Sequence, residues 1–461
     1  MMTANRKTRP IASSAWSRRQ FFTFSALATV ASTFGFDAVA RAAAAKAAKA
    51  TYQDNIYTRM FGVRPVVGAF ETLSRYGNSK MSAEVLQAMA EAQEFFVDMD
   101  ELNRAAGKHI ATIMKTESAM VTSCSFGAMM LGAAACLTGT DRDRVVALPH
   151  PTWPKRECLM QKAHRFTYDR AYRAAGMTIV EVETRDEFAS AITDKTAMIA
   201  VLGMVEREPK PAVMTPKELI DIARKAGVPV LVDSAGELPP ADRLTRYSEM
   251  GADLVVISGG KGLHGPSSTG ILAGRRDLIE AAIVNASPNA NIGRGQKVNR
   301  EEIVGLVVAL EHYLKVDHEA ELAAWTKKAR YMTDQLQRIP GLTADFRMNS
   351  RGYADVVLSW DKSIIPLTEA EVGQKLLAGE PRIAYMTNKI IYAFTNPTLV
   401  PSSLKDGEEV IMAKRLRQFF LEEGGRPTAA SDAASARIRG LPRWRASTSV
   451  TAPKGGACSS G

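Results

Sequence analysis

Short apolar runs of strand length, separated by stretches with helical spacing, constrain this chain more than any other feature. Thr178–Val182, Ala197–Leu202, Val228–Val232, Leu254–Ser258 and Thr269–Ala273 are such runs, and Val145–Leu148 reads as another. Between two of them, Thr215 and Glu218 form the two halves of a capping box around Pro216, and Gly227 closes the helix they open. Strands that are apolar almost throughout need cover on both faces. Their alternation with helices predicts an α/β fold, a mostly parallel sheet covered by helices. Met81 to Met114 predicts two more helices, and Glu301 to about Leu336 a long one. After that the rhythm changes. Ala354–Trp360, Arg382–Tyr385 and Lys389–Phe394 read as strands, with helices near 368–377 and 407–422, which predicts a smaller C-terminal α+β domain. The expected division is a leader over 1–45, an arm over 46–80, a large domain over 81–325, a small domain over 326–423 and a disordered tail over 424–461.

The formal net charge of +10 suggests a nucleic-acid partner until it is located. Residues 1–40 hold five basic residues against one acid, and residues 424–461 hold six against one. The body is close to neutral and lacks the basic face that DNA or RNA requires, so no nucleic acid is expected. Within the leader, Ser17-Arg-Arg-Gln-Phe-Phe22 precedes an apolar stretch from Phe24 to Phe36 and a small-x-small site at Ala38-Val39-Ala40. That order reads as a twin-arginine export signal, too short and too weakly apolar for a membrane span. It predicts a periplasmic protein, exported folded with its cofactor and keeping no stable span. Cys124, Cys136, Cys158 and Cys458 show no CxxC spacing, so neither a disulfide framework nor a metal site is expected.

Two segments carry the chemistry. Val228-Pro-Val-Leu-Val-Asp233 is an apolar strand ending in a carboxylate. Leu254-Val-Val-Ile-Ser258-Gly-Gly-Lys261 is another, opening into a glycine-rich loop with one lysine. The 28 residues between Asp233 and Lys261 leave room for one helical excursion, so both polar ends can meet at the same sheet edge. A lysine there can form a Schiff base with a carbonyl. An aspartate there can pair with a protonated pyridine nitrogen, the arrangement that pyridoxal 5'-phosphate chemistry uses.

A strand ending in Asp, followed by a strand ending in Ser-x-x-Lys, resembles the fold-type-I family of pyridoxal-phosphate enzymes. More narrowly, residues from about 55 to 420 are similar to the branch containing L-seryl-tRNA(Sec) selenium transferase and D-glucosaminate-6-phosphate ammonia-lyase. Gly62-Val-Arg-Pro-Val-Val67, Met81–Met89, Gly251–Pro266 and Lys297–Leu306 carry the likeness. The resemblance implies that Lys261 anchors the cofactor and moves the substrate α-proton, and that Asp233 pairs with the ring nitrogen. It implies a phosphate cradle at Ser123, Cys124, Ser125 and Phe126, before a helix of small residues, with Ser258 assisting. His164 stands where related enzymes stack a ring on the cofactor, with His150 as its rival. Arg294 and Arg382 are candidates to grip a substrate carboxylate or a partner subunit's phosphate. The chain departs from the family pattern at Cys124, His264, Gly295, Glu71 and Glu237, which line the expected entrance and phosphate loop and put the family's substrates in doubt but not the cofactor.

The expected function is a lyase on a small amino acid or amino sugar acid, removing the α-proton and then eliminating a β-substituent. An aminotransferase or a racemase on the same scaffold is the enzymatic alternative, and a non-catalytic exported binding protein the alternative of another class. By resemblance, a homodimer or larger homo-oligomer is expected.

Overall fold

The computed structural model describes residues 51–386 and 396–424. The expected export signal, the strand expected at Lys389–Phe394, the expected tail from residue 425 on and Cys458 lie outside the described residues. The chain divides into two compact units, residues 1–66 and 67–461. In the first, the short helix Ile56–Phe61 is capped by Asn55, whose side chain accepts from the amides of Tyr57 and Thr58.

The second unit opens with β1 (Val67–Ala69) and is built on a sheet of seven strands. These are β2 (Ser118–Ser123), β3 (Glu157–Gln161), β4 (Thr178–Val182), β5 (Thr196–Leu202), β6 (Val230–Asp233), β7 (Leu254–Ser258) and β8 (Thr269–Gly274). Their order is β2-β8-β7-β6-β5-β3-β4, and every pairing is parallel except the two made by β8. The sheet is mostly parallel, as the apolar runs require. All residues of β5, β6, β7 and β8 are buried.

Strand periodicity sorts their side chains into two cores. Val230, Val232, Val255 and Ile257 join Ile110, Leu219 and Leu306 on one face. Leu231, Leu254 and Val256 join Met129, Leu137 and Ile279 on the other. Helix Cys124–Thr138 lies on this second face, and small residues let it approach closely. A methyl group at Gly132 would sit 2.6 Å from Leu231 Cδ1. On the first face, helix Pro216–Ala226 has the capping box at Thr215 and Glu218, and its C-cap Gly227 is left-handed at φ 65°.

Three local expectations are corrected. Val145–Leu148 is not a strand, because Asp141 accepts the amides of Asp143 and Arg144 and opens helix Arg142–Ala147. The long helix is two, Arg300–Tyr313 and His318–Leu336, with Asp317 capping the second. The sheet also contains β2 and β3, which the apolar runs do not single out. Toward the C-terminus, β9 (Leu342–Met348), β10 (Ala354–Trp360) and β12 (Thr398–Leu399) form an antiparallel sheet in the order β12-β10-β9. β11 (Ile383–Tyr385) runs parallel to β1. Among the described residues, no helix is long and apolar enough to cross a membrane.

Candidate active site

β6 and β7 are adjacent and parallel, so their C-terminal ends deliver Asp233 and Ser258 to the same edge of the sheet. Lys261 follows three residues later, on a loop pressed hard against its neighbours. A methyl group at Gly260 would stand 2.5 Å from Ser267 Cα, and one at Gly262 2.5 Å from the Leu238 carbonyl oxygen. Only glycine allows the backbone this close approach on either side of the lysine.

Asp233, Ser258 and Lys261 line one cavity of about 150 Å³, joined there by Cys124, Ser125 and Phe126. Asp233 is 8% exposed, and its Oδ1 accepts the Ala235 amide at 3.0 Å. Its other carboxylate oxygen carries no hydrogen bond among the described residues. Burial pushes the carboxyl above its ordinary range, while the Ala235 amide and Lys261 pull the other way and Glu237 adds to the rise. Lys261 is half-buried and is the only cation among the described lining residues.

The opposite wall is the start of helix Cys124–Thr138. Its N-cap, Ser123, makes no side-chain cap, and the first turn contains no acid. Fifteen residues of aligned peptide dipoles therefore end, uncapped by any side chain, at a cavity. Cys124 holds a left-handed φ of 54°, and its amide donates to the Ser268 carbonyl at 2.6 Å. Gly270 packs so tightly beneath that a methyl group there would meet the Cys124 carbonyl carbon at 2.5 Å.

The remaining expected residues lie elsewhere. His164 does not line this cavity. It is fully buried; its Nε2 meets the Met214 carbonyl at 2.8 Å, and its Nδ1 accepts the Leu202 amide at 3.0 Å. Burial lowers its pKa against the opposing pull of the Met214 carbonyl. With both ring nitrogens bound to backbone, His164 braces β5 and lies outside the cavity lining. Phe166 and Tyr168, a few residues on, are the rings that reach the cavity, edge to face with centroids 5.3 Å apart. His150 is exposed and also outside the lining. Ser123 caps the helix without lining the cavity. Arg294 lines a separate cavity of about 530 Å³ beside the edge strand β2. Arg382 precedes β11, where its Nε donates to the Leu377 carbonyl at 2.8 Å and its own carbonyl accepts the Val67 amide.

Sequence reasoning missed Ser74, Asn78 and Ser267 as lining residues, while Glu237, singled out as a departure at the expected entrance, does line the cavity. The aromatic pair Phe166 and Tyr168 was within reach, since it follows His164 directly. Ser74 and Asn78 come from the arm before the first long helix and carried no local signal.

The donor set fits pyridoxal phosphate. A buried carboxylate with an open oxygen suits the ring nitrogen, an uncapped helix start suits the phosphate, and an amine lines the same cavity. The comparisons agree. The profile described as "Aminotransferase class-V" matches residues 173–357. A Streptomyces 5'-C-glycyluridine monooxygenase-decarboxylase is 33% identical over 389 residues, covering 81% of this chain and 94% of that protein. The D-glucosaminate-6-phosphate ammonia lyase of Salmonella typhimurium is 28% identical over 379 residues, covering 79% and 98%. A solved structure of D-glucosaminate-6-phosphate ammonia-lyase superposes with a TM-score of 0.69 at 27% identity, over 80% of this chain and 99% of that one. With relatives matched over nearly their whole length and a cavity furnished for the cofactor, the chain belongs to the aminotransferase class-V family of fold-type-I, pyridoxal-phosphate-dependent enzymes.

Proposed function

We propose that this enzyme is a lyase on a small amino acid or amino sugar acid, with Lys261 removing the α-proton before a β-substituent leaves. The convergence of Lys261, Asp233 and the uncapped start of helix Cys124–Thr138 on one cavity carries the reading. Pyridoxal phosphate, when bound, supplies an electron sink for the carbanion. The chain supplies the rest. Asp233 holds a proton on the ring nitrogen, and the amides of Ser125 and Phe126 with the Ser258 hydroxyl take the phosphate. Phe166, which lines the cavity, would pack against the ring in the place expected of His164. The Lys261 amine carries the proton at the substrate α-carbon, and the glycines beside it hold it close to that atom.

A second reading is oxidative loss of a carboxylate. It is favoured by the relative of higher identity, which is named for monooxygenation and decarboxylation. Export through a twin-arginine signal at Arg18-Arg19, a periplasmic location and assembly into a homodimer or larger homo-oligomer belong to the same proposal. They rest on the sequence reading of the leader and on the family resemblance.

The test is an absorbance spectrum of the purified protein with added pyridoxal phosphate, before and after borohydride, beside Lys261→Ala. We expect a visible band that borohydride fixes on Lys261, and a rate loss of at least about 10³-fold in the alanine variant with little change in stability. A protein that stays colourless overturns the assignment. Screening amino acids and amino sugar acids for ammonia and 2-oxoacid release, with an oxygen electrode alongside, decides between elimination and oxidative decarboxylation.

A further inference from the structure

The loop that carries Lys261 is held from outside by the arm that precedes helix Ala83–Gln93. Within that arm the short turn Ser74–Tyr76 ends in two left-handed residues, Gly77 at φ 87° and Asn78 at φ 61°. The Asn78 amide donates back to the Leu73 carbonyl at 3.0 Å, so the chain reverses there and brings Ser79 onto the lysine loop. The Ser79 amide donates to the Gly260 carbonyl at 3.1 Å, and the Ser79 hydroxyl donates to the same oxygen at 2.8 Å. Its neighbours hold the far side of the loop. Asn78 Nδ2 donates to Ser267 Oγ at 2.6 Å, and His264 Nδ1 meets the Lys80 carbonyl at 3.3 Å.

The Gly260 carbonyl belongs to the peptide unit that ends in the nitrogen and Cα of Lys261. A peptide unit is planar, so holding its oxygen fixes the orientation from which the lysine side chain departs. The glycine itself supplies no such constraint, because a residue without Cβ leaves its φ and ψ open. The loop closes by its own bonds only elsewhere. The His264 amide donates to the Lys261 carbonyl at 3.0 Å, and the Gly265 amide to the Gly259 carbonyl at 2.8 Å. A carbonyl oxygen accepts two hydrogen bonds, and the two donors of Ser79 match that number. We infer that Ser79 is a positioning residue for Lys261, its amide and hydroxyl together setting the direction in which the lysine leaves the loop. The inference rests on the reading of Lys261 given above. Ser79 is half-buried and outside the cavity lining, so it acts on the cavity through the Gly260–Lys261 peptide.

The experiment compares wild type, Ser79→Ala and Ser79→Thr as holoenzymes. It measures amide hydrogen exchange over residues 259–265, the pH midpoint of the visible band and the melting temperature. Ser79→Ala keeps the amide and loses the hydroxyl, so exchange over the loop should quicken about tenfold while the central strands keep wild-type protection. The pH midpoint should move by about half a unit or more, a roughly threefold change in proton affinity, because the band reports how the lysine meets the ring. Ser79→Thr keeps a hydroxyl and should restore both readings. A merely structural Ser79 predicts a lower melting temperature with the pH midpoint unmoved. That result, wild-type exchange in Ser79→Ala, or a threonine variant as impaired as the alanine one overturns the inference. If Ser79→Ala does not fold, Ser79→Cys replaces it, since a thiol is a weaker donor at the same place. Values between wild type and a free loop then support the inference, and wild-type values overturn it. A wild-type protein with no borohydride-fixable band fails differently, by removing the cofactor reading, while loop exchange in the apoprotein still reports the grip of Ser79.

Discussion

Glu237 with Arg207 and Arg243, and Glu71 with Arg351, are both carboxylates buried against guanidinium groups, yet their surroundings differ. Glu237 sits on loops at the ends of the parallel strands and lines the Lys261 cavity. Its network runs outward through Arg243 to Glu206, which also takes Arg246 at 3.1 Å and the Tyr247 hydroxyl at 2.9 Å. Glu71 lies just after β1 at a left-handed φ of 61°, 7% exposed, and pairs with Arg351 from the turn before β10. Burial pushes its carboxyl up, and Arg351 with Arg207 more than reverses that, leaving it below its ordinary value. Arg351 also donates to the Tyr353 hydroxyl, and Asp355 stands close by with one oxygen bonded to Asn349 at 3.0 Å and the other buried without a partner. The same residue chemistry therefore serves two ends. At the strand ends it orders a turn that lines the Lys261 cavity; beside β10 it ties the C-terminal sheet to the start of the unit.

The comparison predicts that the second cluster costs stability and not cofactor affinity. Arg351→Met leaves Glu71 buried without its hydrogen-bonded guanidinium, and should destabilise by about 3–5 kcal/mol while pyridoxal-phosphate affinity in the folded fraction stays near wild type. Denaturant titration beside cofactor titration reads both, and a loss of affinity larger than the loss of stability would merge the two clusters into one.

Asp355 gives a pH signature. Burial raises its carboxyl from 3.8 to about 6, with Asn349 and Arg351 only partly offsetting it. The folded form thus holds a proton to higher pH than the unfolded form does. Its penalty on folding is absent below pH 3.8, grows as the pH rises and is complete above about pH 6. A shift of this size corresponds to about 3 kcal/mol. Asp355→Asn should therefore stabilise the protein more at pH 7.5 than at pH 4.5; an equal gain at both would remove the buried charge from the account.

The smallest effect belongs to the outer end of the first network. Arg246 is 36% exposed at its side chain, and Glu206 keeps Arg243 and Tyr247 without it. Arg246→Ala should change stability by less than about 1 kcal/mol and leave cofactor affinity unaltered. A larger change in either would extend the network beside the Lys261 cavity out to the surface.

Much of this architecture was legible in the chain. β4 through β8 coincide with apolar runs, because buried parallel strands must be apolar on both faces. Asp233, Ser258 and Lys261 stood out as polar groups closing or following such runs. β2 and β3 did not stand out, since Ser118-Ala-Met-Val-Thr-Ser123 and Glu157-Cys-Leu-Met-Gln161 mix polar ends with residues that suit helices equally well. Val145–Leu148 misled for the converse reason. Four apolar residues fit either element, and the capping by Asp141 decided for the helix. His164 and Phe166 show the limit within a site. They lie two residues apart, and nothing local says which ring turns toward the cavity and which toward the Met214 carbonyl.

The sequence by itself determined the layered α/β plan, the cofactor class and the meeting of Asp233, Ser258 and Lys261 at one sheet edge, because each follows from short-range pattern: strand-length apolar runs, a carboxylate and a lysine at their ends, glycines around the lysine. Tertiary structure alone decided which aromatic faces the cavity, that Arg294 belongs to a different cavity, and that Glu237 and Arg207, 30 residues apart, meet beside Asp233. Those choices depend on how loops from separate strands pack at one sheet edge, and long-range packing leaves no periodic mark in the chain.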